Sequence, residues 1–380
     1  MGRLSPGSWD LNTFSSPAMD HTVQSMRYLA PLLVLLAVGC DVTEPVVDFD
    51  EMEWIAVSAG REHTCALSAA ARLACWGAND RGQLGTGDSA ERADPTWVRT
   101  SLRFLAVSAG GRHTCAIDEQ RALWCWGAND LGQLGDETSR DRRTPVLVNI
   151  QGPFTHVSAG GEHTCAVRVA TEGLCWGANQ AGQVGSGVDS RGGLPPSPIR
   201  GALNFPVVSA GDTHSCGVAN GGGGFCWGGN QTGSLGTGTL IDSSSPVIVS
   251  GARLFVTLRA GETHSCGVDE QARGWCWGGN QFGQVVSTPD PIVGSPISRS
   301  DAAFRDIGVG EHWTCALLAR GDVRCWGVRW DRTAGDGSHS VSRDGWAPEI
   351  ASTSTAVALS VGARHACIVS EAMRVFCWGR

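Results

Sequence analysis

The chain of 380 residues contains one stretch of about 50 residues that occurs seven times, and this period limits the folds open to it. The clearest copy is AGGRHTCAIDEQRALWCWGANDLGQLG, at residues 109–135. Its first cysteine recurs at steps of 50, 50, 51, 50, 49 and 52 residues. A period this regular indicates a repeat architecture.

Each copy carries a second cysteine ten positions after the first, and Trp-Gly follows it every time. The pairs are Cys65 and Cys75, Cys115 and Cys125, Cys165 and Cys175, Cys216 and Cys226, Cys266 and Cys276, Cys315 and Cys325, and Cys367 and Cys377. Between these landmarks, short apolar runs such as AVSAG, HTCAL and LWCWG are separated by polar turns and glycines. About 50 residues, divided into four short strands, is the size of one propeller blade, whereas no helical apolar period persists in the repeats.

The recurring motifs AGxxHT and CWGxNxxGQLG, with a later Pro, resemble the repeat of the regulator of chromosome condensation family. Kelch repeats share the period but not these motifs. The resemblance covers roughly residues 45–380 and implies an all-β fold, a seven-bladed β-propeller. We expect blades of four antiparallel strands.

The order of motifs also predicts how the ring closes. A Pro stands 14 or 15 residues before each AG-type glycine, and Pro45 stands 15 residues before Gly60. The sequence ends at CWGR, with no GQLG or Pro strand after it. We therefore predict that a strand from Pro45 to Asp48 completes the blade formed by residues 357–379, which leaves no open sheet edge.

The first 44 residues lie outside the repeat. Residues 1–25 are polar and are interpreted as disordered or not translated, with Met26 as the start. Residues 26–39 have the form of a signal peptide, and AVGC resembles a bacterial lipoprotein box that ends at Cys40, although Ala37 stands where Leu is more usual. Residues 41–44 are then a short tether. Plain secretion and a membrane anchor are the alternatives, but the apolar run of about twelve residues is shorter than the roughly 20 that a spanning helix needs.

Cysteine usage supports export. Cys40 is the only cysteine without a partner ten residues away, as a lipid-modified cysteine would be. In HTCAL-turn-LACWG, a turn centred on Ala70 places Cys65 opposite Cys75 and Leu67 opposite Leu73. A non-hydrogen-bonded antiparallel pair brings Cα atoms to about 4.5 Å, within reach of a disulfide. We predict seven disulfides within blades, which an oxidising compartment would preserve.

Metal binding is the alternative for these cysteines. Six repeats carry His-x-Cys, at His63, His113, His163, His214, His264 and His365. One His with two Cys resembles a zinc set. However, the sixth repeat has Trp313 at the His position, and sixfold repetition favours a structural role. We expect these histidines to hydrogen-bond to backbone between blades and expect no bound metal.

Composition excludes several function classes. The formal net charge is -8, and the only basic cluster is Arg140, Arg142 and Arg143, interpreted as a solvated turn, so nucleic-acid binding is not expected. The sequence has no Lys, which excludes a Walker-type phosphate loop and Schiff-base chemistry. No GxSxG or HExxH motif occurs. We expect a monomeric, non-catalytic binding module without a cofactor, whose partner is a protein or a surface glycan.

Two other functions remain open: guanine-nucleotide exchange, which the resemblance to the founding family member implies, and inhibition of an exported enzyme. Tryptophans outside the repeating position are candidate partner contacts: Trp97, Trp124, Trp275, Trp330 and Trp346. The segments between GQLG and the next Pro differ most among repeats, and binding sites concentrate in such loops. We predict a binding patch at Trp330, Arg332, Arg343 and Trp346, where substitution of either Trp by Ala weakens a ligand at least tenfold, about 1.4 kcal/mol.

Overall fold

The structure is a computed structural model that describes residues 49, 52–188, 190, 192–201, 203–299, 303–329, 340–346 and 355–379. For residues 299, 329 and 340–346 only the backbone is described. These residues form seven antiparallel sheets in chain order, the blades of a β-propeller. Within the described ranges, no helix has the length and apolar character needed to cross a membrane.

Each blade is a meander whose strands pair in sequence order. Blade 1 contains β1 (Trp54–Ala59), β2 (His63–Ser68), β3 (Leu73–Gly77) and β4 (Arg92–Trp97); blade 2 contains β5 (Phe104–Ala109), β6 (His113–Asp118), β7 (Leu123–Gly127) and β8 (Arg142–Leu147). Blade 3 contains β9 (Phe154–Ala159), β10 (His163–Arg168), β11 (Gly173–Ala178) and β12 (Gly193–Pro198); blade 4 contains β13 (Val207–Ala210), β14 (His214–Val218), β15 (Gly224–Gly228) and β16 (Ser243–Ile248). Blade 5 contains β17 (Phe255–Ala260), β18 (His264–Asp269), β19 (Gly274–Gly279) and β20 (Ile292–Arg299); blade 6 contains β21 (Phe304–Val309), β22 (Trp313–Leu318), β23 (Val323–Arg329) and β24 (Ser340–Trp346). Blade 7 contains β25 (Ala356–Val361), β26 (His365–Ser370) and β27 (Val375–Gly379).

The predicted hairpin register is confirmed. In blade 1, Cys65 pairs with Cys75 and Leu67 pairs with Leu73 across the β2–β3 hairpin. A disulfide joins the two cysteines, whose Cα atoms are 4.1 Å apart. The other six predicted pairs are also disulfide-bonded, each within its own blade.

The hydrophobic core lies between neighbouring blades. At the first joint, Leu67 and Leu84 of blade 1 pack with Phe104 and Trp126 of blade 2. The tryptophan after the second cysteine is fully buried at Trp126, Trp176, Trp227 and Trp277 and nearly so at Trp326. Burying such a side chain stabilises the fold by about 3 kcal/mol or more. The blades are therefore coupled by the residues that the repeat provides.

Blade 7 contacts blade 1, so the ring is closed by noncovalent contacts. Ala59 N–H donates to Ser360 Oγ at 2.9 Å, and Thr64 Oγ1 lies 2.7 Å from His365 Nε2. The predicted closing strand from Pro45 to Asp48 lies outside the described residues, as do the signal peptide and Cys40. Among the described residues, blade 7 has three strands, so the N-terminal strand remains a prediction.

Candidate binding face

Two sets of loops emerge at the same end of the propeller, because the four strands of a blade alternate in direction. One set is the short AG turn between the first and second strands, and the other is the longer loop between the third and fourth strands. We call this end the loop face. The turns between second and third strands, and the links between blades, form the opposite face.

Hydrogen bonds brace the longer loops of blades 1 to 5 although their sequences differ. In blade 2, Asn129 Oδ1 accepts from Leu134 N–H at 3.0 Å, and Asn129 Nδ2 donates to the carbonyls of Thr138 and Arg140 at 3.0 and 3.1 Å. Gln133 Oε1 accepts from Leu131 N–H at 3.0 Å. Equivalent asparagines brace the loops of blades 1, 3, 4 and 5. The motif residues thus form a frame that leaves the intervening side chains free to vary.

The recurring histidines join blades, but not as predicted. His113 Nε2 lies 2.9 Å from Thr164 Oγ1 of the next blade, and that hydroxyl donates to Gln133 O at 2.8 Å. The expectation of backbone partners was therefore wrong, because the partner is a hydroxyl that itself bonds to backbone. His63, His163, His214 and His264 bond in the same way to Thr114, Ser215, Ser265 and Thr314, and His365 bonds to the hydroxyl of Thr64.

These histidines are neutral in the folded protein. Burial lowers the pKa of His113 to about 4 and, with nearby histidines, the pKa of His63 to about 3. Since the hydroxyl gives its proton to a carbonyl, its oxygen accepts from the Nε2–H of the ring. The paired cysteines are bonded to each other, and the described residues include no cluster of His, Cys, Asp or Glu side chains suited to a metal ion.

The joint between blades 6 and 7 has a different construction. Trp313 replaces the histidine, is fully buried and donates from Nε1 to Ala363 O at 2.8 Å. Ala366 of blade 7 stands where every other repeat has Thr or Ser, and it packs against Trp313. The larger indole therefore occurs together with the loss of the hydroxyl. Both changes are visible in the sequence, but only the structure shows that the two residues are in contact.

At the centre of the loop face, the AG turns surround a small opening of about 120 Å³. Arg61 of blade 1 extends across it and donates to Asp212 Oδ1 of blade 4 at 2.7 Å. A Cβ at Gly161 would overlap the Asp212 carboxylate, so this glycine makes room for the ion pair. Arg364 bonds to Glu311 Oε2 at 2.9 Å. Burial and the charges of Asp212 and Glu311 raise the pKa of Glu262.

The repeat also matches a known family. The model of the regulator of chromosome condensation (RCC1) repeat matches residues 72–117, 122–167 and 222–268, and a second model of the same repeat matches 54–83 and 104–133. The chain therefore contains RCC1 repeats in these segments. Comparison with curated protein sequences finds no match.

Several solved structures share the fold. Yeast RCC1 (Prp20) bound to Kap60 is 18% identical with a TM-score of 0.71, over 85% of this chain and 79% of that chain. Human WBSCR16 is 19% identical with a TM-score of 0.73, over 87% of each chain. Prp20p from Saccharomyces cerevisiae, in a study of its binding to Gsp1p and histones, is 18% identical with a TM-score of 0.70, over 85% and 82%. At this identity the likeness establishes the propeller.

The structure does not describe the side chains of the predicted binding patch. Trp330 and Arg332 lie outside the described residues. Arg343 and Trp346 lie in β24, the last strand of blade 6, and only their backbone is described. The patch therefore remains a prediction from the sequence alone.

Three of the other candidate tryptophans are engaged within their own blades. Trp97 packs against Trp54, with ring centroids 6.2 Å apart, and Arg72 lies over its ring. Trp124 Nε1 donates to Asp118 at 2.7 Å, and Trp275 Nε1 donates to Asp269 at 2.8 Å. These contacts within each blade account for the three tryptophans, so no binding partner is needed to explain them.

The basic trio is only partly free. Arg142 pairs with Asp136 at 2.7 Å, whereas Arg140 and Arg143 are exposed on the loop face. The interpretation as a solvated turn therefore fits only Arg140, because Arg142 and Arg143 are the first residues of β8 and Arg142 is paired with Asp136.

Proposed function

We propose that this RCC1-repeat protein is a non-catalytic binding module, lipid-anchored outside the cytoplasm, that presents its loop face to a protein partner. The observation that carries the proposal is the contrast between a disulfide-bonded, repeating scaffold and the variable but rigid loops at one end of it. Rigid loops lose little conformational entropy on binding, which favours recognition.

The seven disulfides indicate an oxidising compartment. The signal-peptide pattern that ends at Cys40 supports export and lipid attachment on independent grounds. Yeast Prp20, which shares this fold, is bound to another protein, Kap60, in one solved structure. Guanine-nucleotide exchange is the alternative, but a GTPase in the reducing cytoplasm would not meet a disulfide-bonded exported protein. A surface glycan and an exported enzyme are the other partners to consider.

Site-specific crosslinking tests the proposal. A photo-crosslinking residue is placed in the full-length protein at Ser89, Ser139 or Thr239, exposed on the loop face over blades 1, 2 and 4, or at Glu119 or Met373, exposed on the opposite face. We expect a discrete envelope protein to crosslink from the loop face and not from the opposite face, in producing cells. Crosslinks from the opposite face only, or none from either face, would contradict a loop-face binding module.

A further inference from the structure

The loop face is electrostatically divided. Over blades 1 and 2 several acids have arginine partners: Arg81 bonds to Asp130 and Asp141, and Arg112 bonds to Asp80. Over blades 4 and 5, residues 211–213, 229–242, 261–263 and 280–291 contain no Lys, Arg or His. They contain four acids, Asp212, Asp242, Glu262 and Asp290. This half of the face therefore has negative charge that its own loops do not neutralise.

Glu262 is the clearest case. Asp212 pairs with Arg61 from blade 1, but Glu262 has no ion-pair partner among the residues that the structure describes. It is half-buried, and burial together with the like charges of Asp212 and Glu311 raises its pKa, although the charges of Arg61 and Arg364 partly oppose this rise. A cation brought by a partner would relieve this repulsion.

The same half of the face carries an exposed aliphatic pair. Leu240 is 49% exposed and Ile241 is 74% exposed, in the long loop of blade 4. The equivalent residues are Ser89 and Ala90 in blade 1 and Ser139 and Arg140 in blade 2. Two consecutive large aliphatic side chains in solvent are costly unless something covers them.

The pair is held rigidly. Asn230 Nδ2 donates to the carbonyls of Thr239 and Ile241 at 2.9 and 3.1 Å, and Asn230 N–H donates to Asp242 at 2.7 Å. Thr232 Oγ1 donates to Thr263 O at 2.8 Å, which ties this loop to the turn that carries Glu262. The aliphatic pair and the unpaired acid thus belong to one fixed surface.

We propose that blades 4 and 5 of the loop face bind a cationic amphipathic segment of a partner protein. Its aliphatic side chains cover Leu240 and Ile241, and its Lys or Arg side chains lie against Glu262 and Asp290. An anionic lipid surface would be repelled by the same acids, and a glycan would leave the aliphatic pair uncovered. This inference rests on the proposed binding function and specifies the chemistry of the partner.

A defined peptide tests it. The probe is a fluorescent peptide of about 18 residues, roughly five helical turns, made of Leu and Lys in an amphipathic pattern, with a Leu/Glu peptide of the same pattern as its counterpart. Binding to the full-length protein is followed by fluorescence anisotropy. We expect the Leu/Lys peptide to bind with an affinity that falls as salt rises, and the Leu/Glu peptide not to bind.

Variants assign the binding to this surface. Leu240→Ser with Ile241→Ser, and separately Glu262→Gln, should each weaken the Leu/Lys peptide at least tenfold. Leu147→Ser with Ile248→Ser, which alters two exposed aliphatic residues on outer strands, should leave the affinity unchanged.

Equal affinity in all variants, no binding, or equal binding of both peptides would overturn the proposal. So would binding to phosphatidylcholine vesicles that is lost with Ile241→Ser. If the peptide test fails while loop-face crosslinking succeeds, the binding function stands and only the assigned partner chemistry is wrong.

Discussion

Six histidines, five of them buried, connect neighbouring blades through hydroxyl groups, so protonation of one ring weakens the joint that it forms. The folded pKa of His113 is about 4 against an ordinary value of 6.5. Because the folded value is lower, the unfolded state binds the proton first as the pH falls. The stability that depends on the neutral ring is complete above about pH 6.5 and is lost as the pH falls toward 4.

His113→Gln removes one such titration while keeping an N–H donor for the Thr164 hydroxyl. As the pH falls from 6 to 4.5, we expect the free energy of unfolding to decrease less in the variant than in the unaltered protein. The two slopes should differ by about 1.4 kcal/mol per pH unit. Urea unfolding at a series of pH values measures the slope. An unchanged slope would show that this ring does not couple folding to pH.

The Trp313 and Ala366 pair allows a second test of the joints between blades. Trp313→His places a polar ring against a methyl group, and Ala366→Thr crowds the indole, so each change alone should destabilise the protein by about 2 kcal/mol or more. The double variant rebuilds the side-chain pair found at the other joints. We expect a favourable coupling of at least about 1 kcal/mol in chemical denaturation, whereas additive losses would contradict the pairing.

The sequence predicted contacts within a blade better than contacts between blades. The Cys65–Cys75 register follows from local hairpin geometry, because the turn length fixes which residues face each other. The partner of His63 lies 51 positions away in another blade, and only the arrangement of the ring brings Thr114 to it. A signal was present, since His is accompanied by Thr or Ser in the next repeat and Trp313 by Ala366. The predicted patch at Trp330 lies where the repeat motif itself breaks down, so no repeat register defines its surroundings.

At the scale of elements, each disulfide closes a hairpin within one blade, so its loss should be felt there first. Replacing Cys115 and Cys125 by Ala should lower the free energy of unfolding by about 3 kcal/mol, the chain-entropy value for a loop of this length. Hydrogen exchange should rise first in β6 and β7, as expected for repeat proteins in which stability is distributed among units. The matched pair Cys266 and Cys276 should loosen β18 and β19 instead. Uniform loosening in either variant would contradict local stabilisation.

At the scale of the whole molecule, the ring depends on the joint between the last and first blades. If the strand from Pro45 to Asp48 completes blade 7, deleting residues 43–49 should lower the melting temperature of the entire propeller. Circular dichroism of the full-length and deleted proteins measures this. An unchanged melting curve would reject closure by the N-terminal strand.

We propose that this propeller works outside the cytoplasm as a rigid, disulfide-bonded binding module. The most direct measurement is the thiol state of the protein in the cells that make it, trapped by alkylation and followed by fractionation and non-reducing peptide mapping. We predict that the protein is in the membrane fraction with seven links within blades, from Cys65–Cys75 through Cys367–Cys377, and no free thiol among these cysteines. Free thiols, links between blades, or a protein confined to the cytoplasmic fraction would contradict the claim.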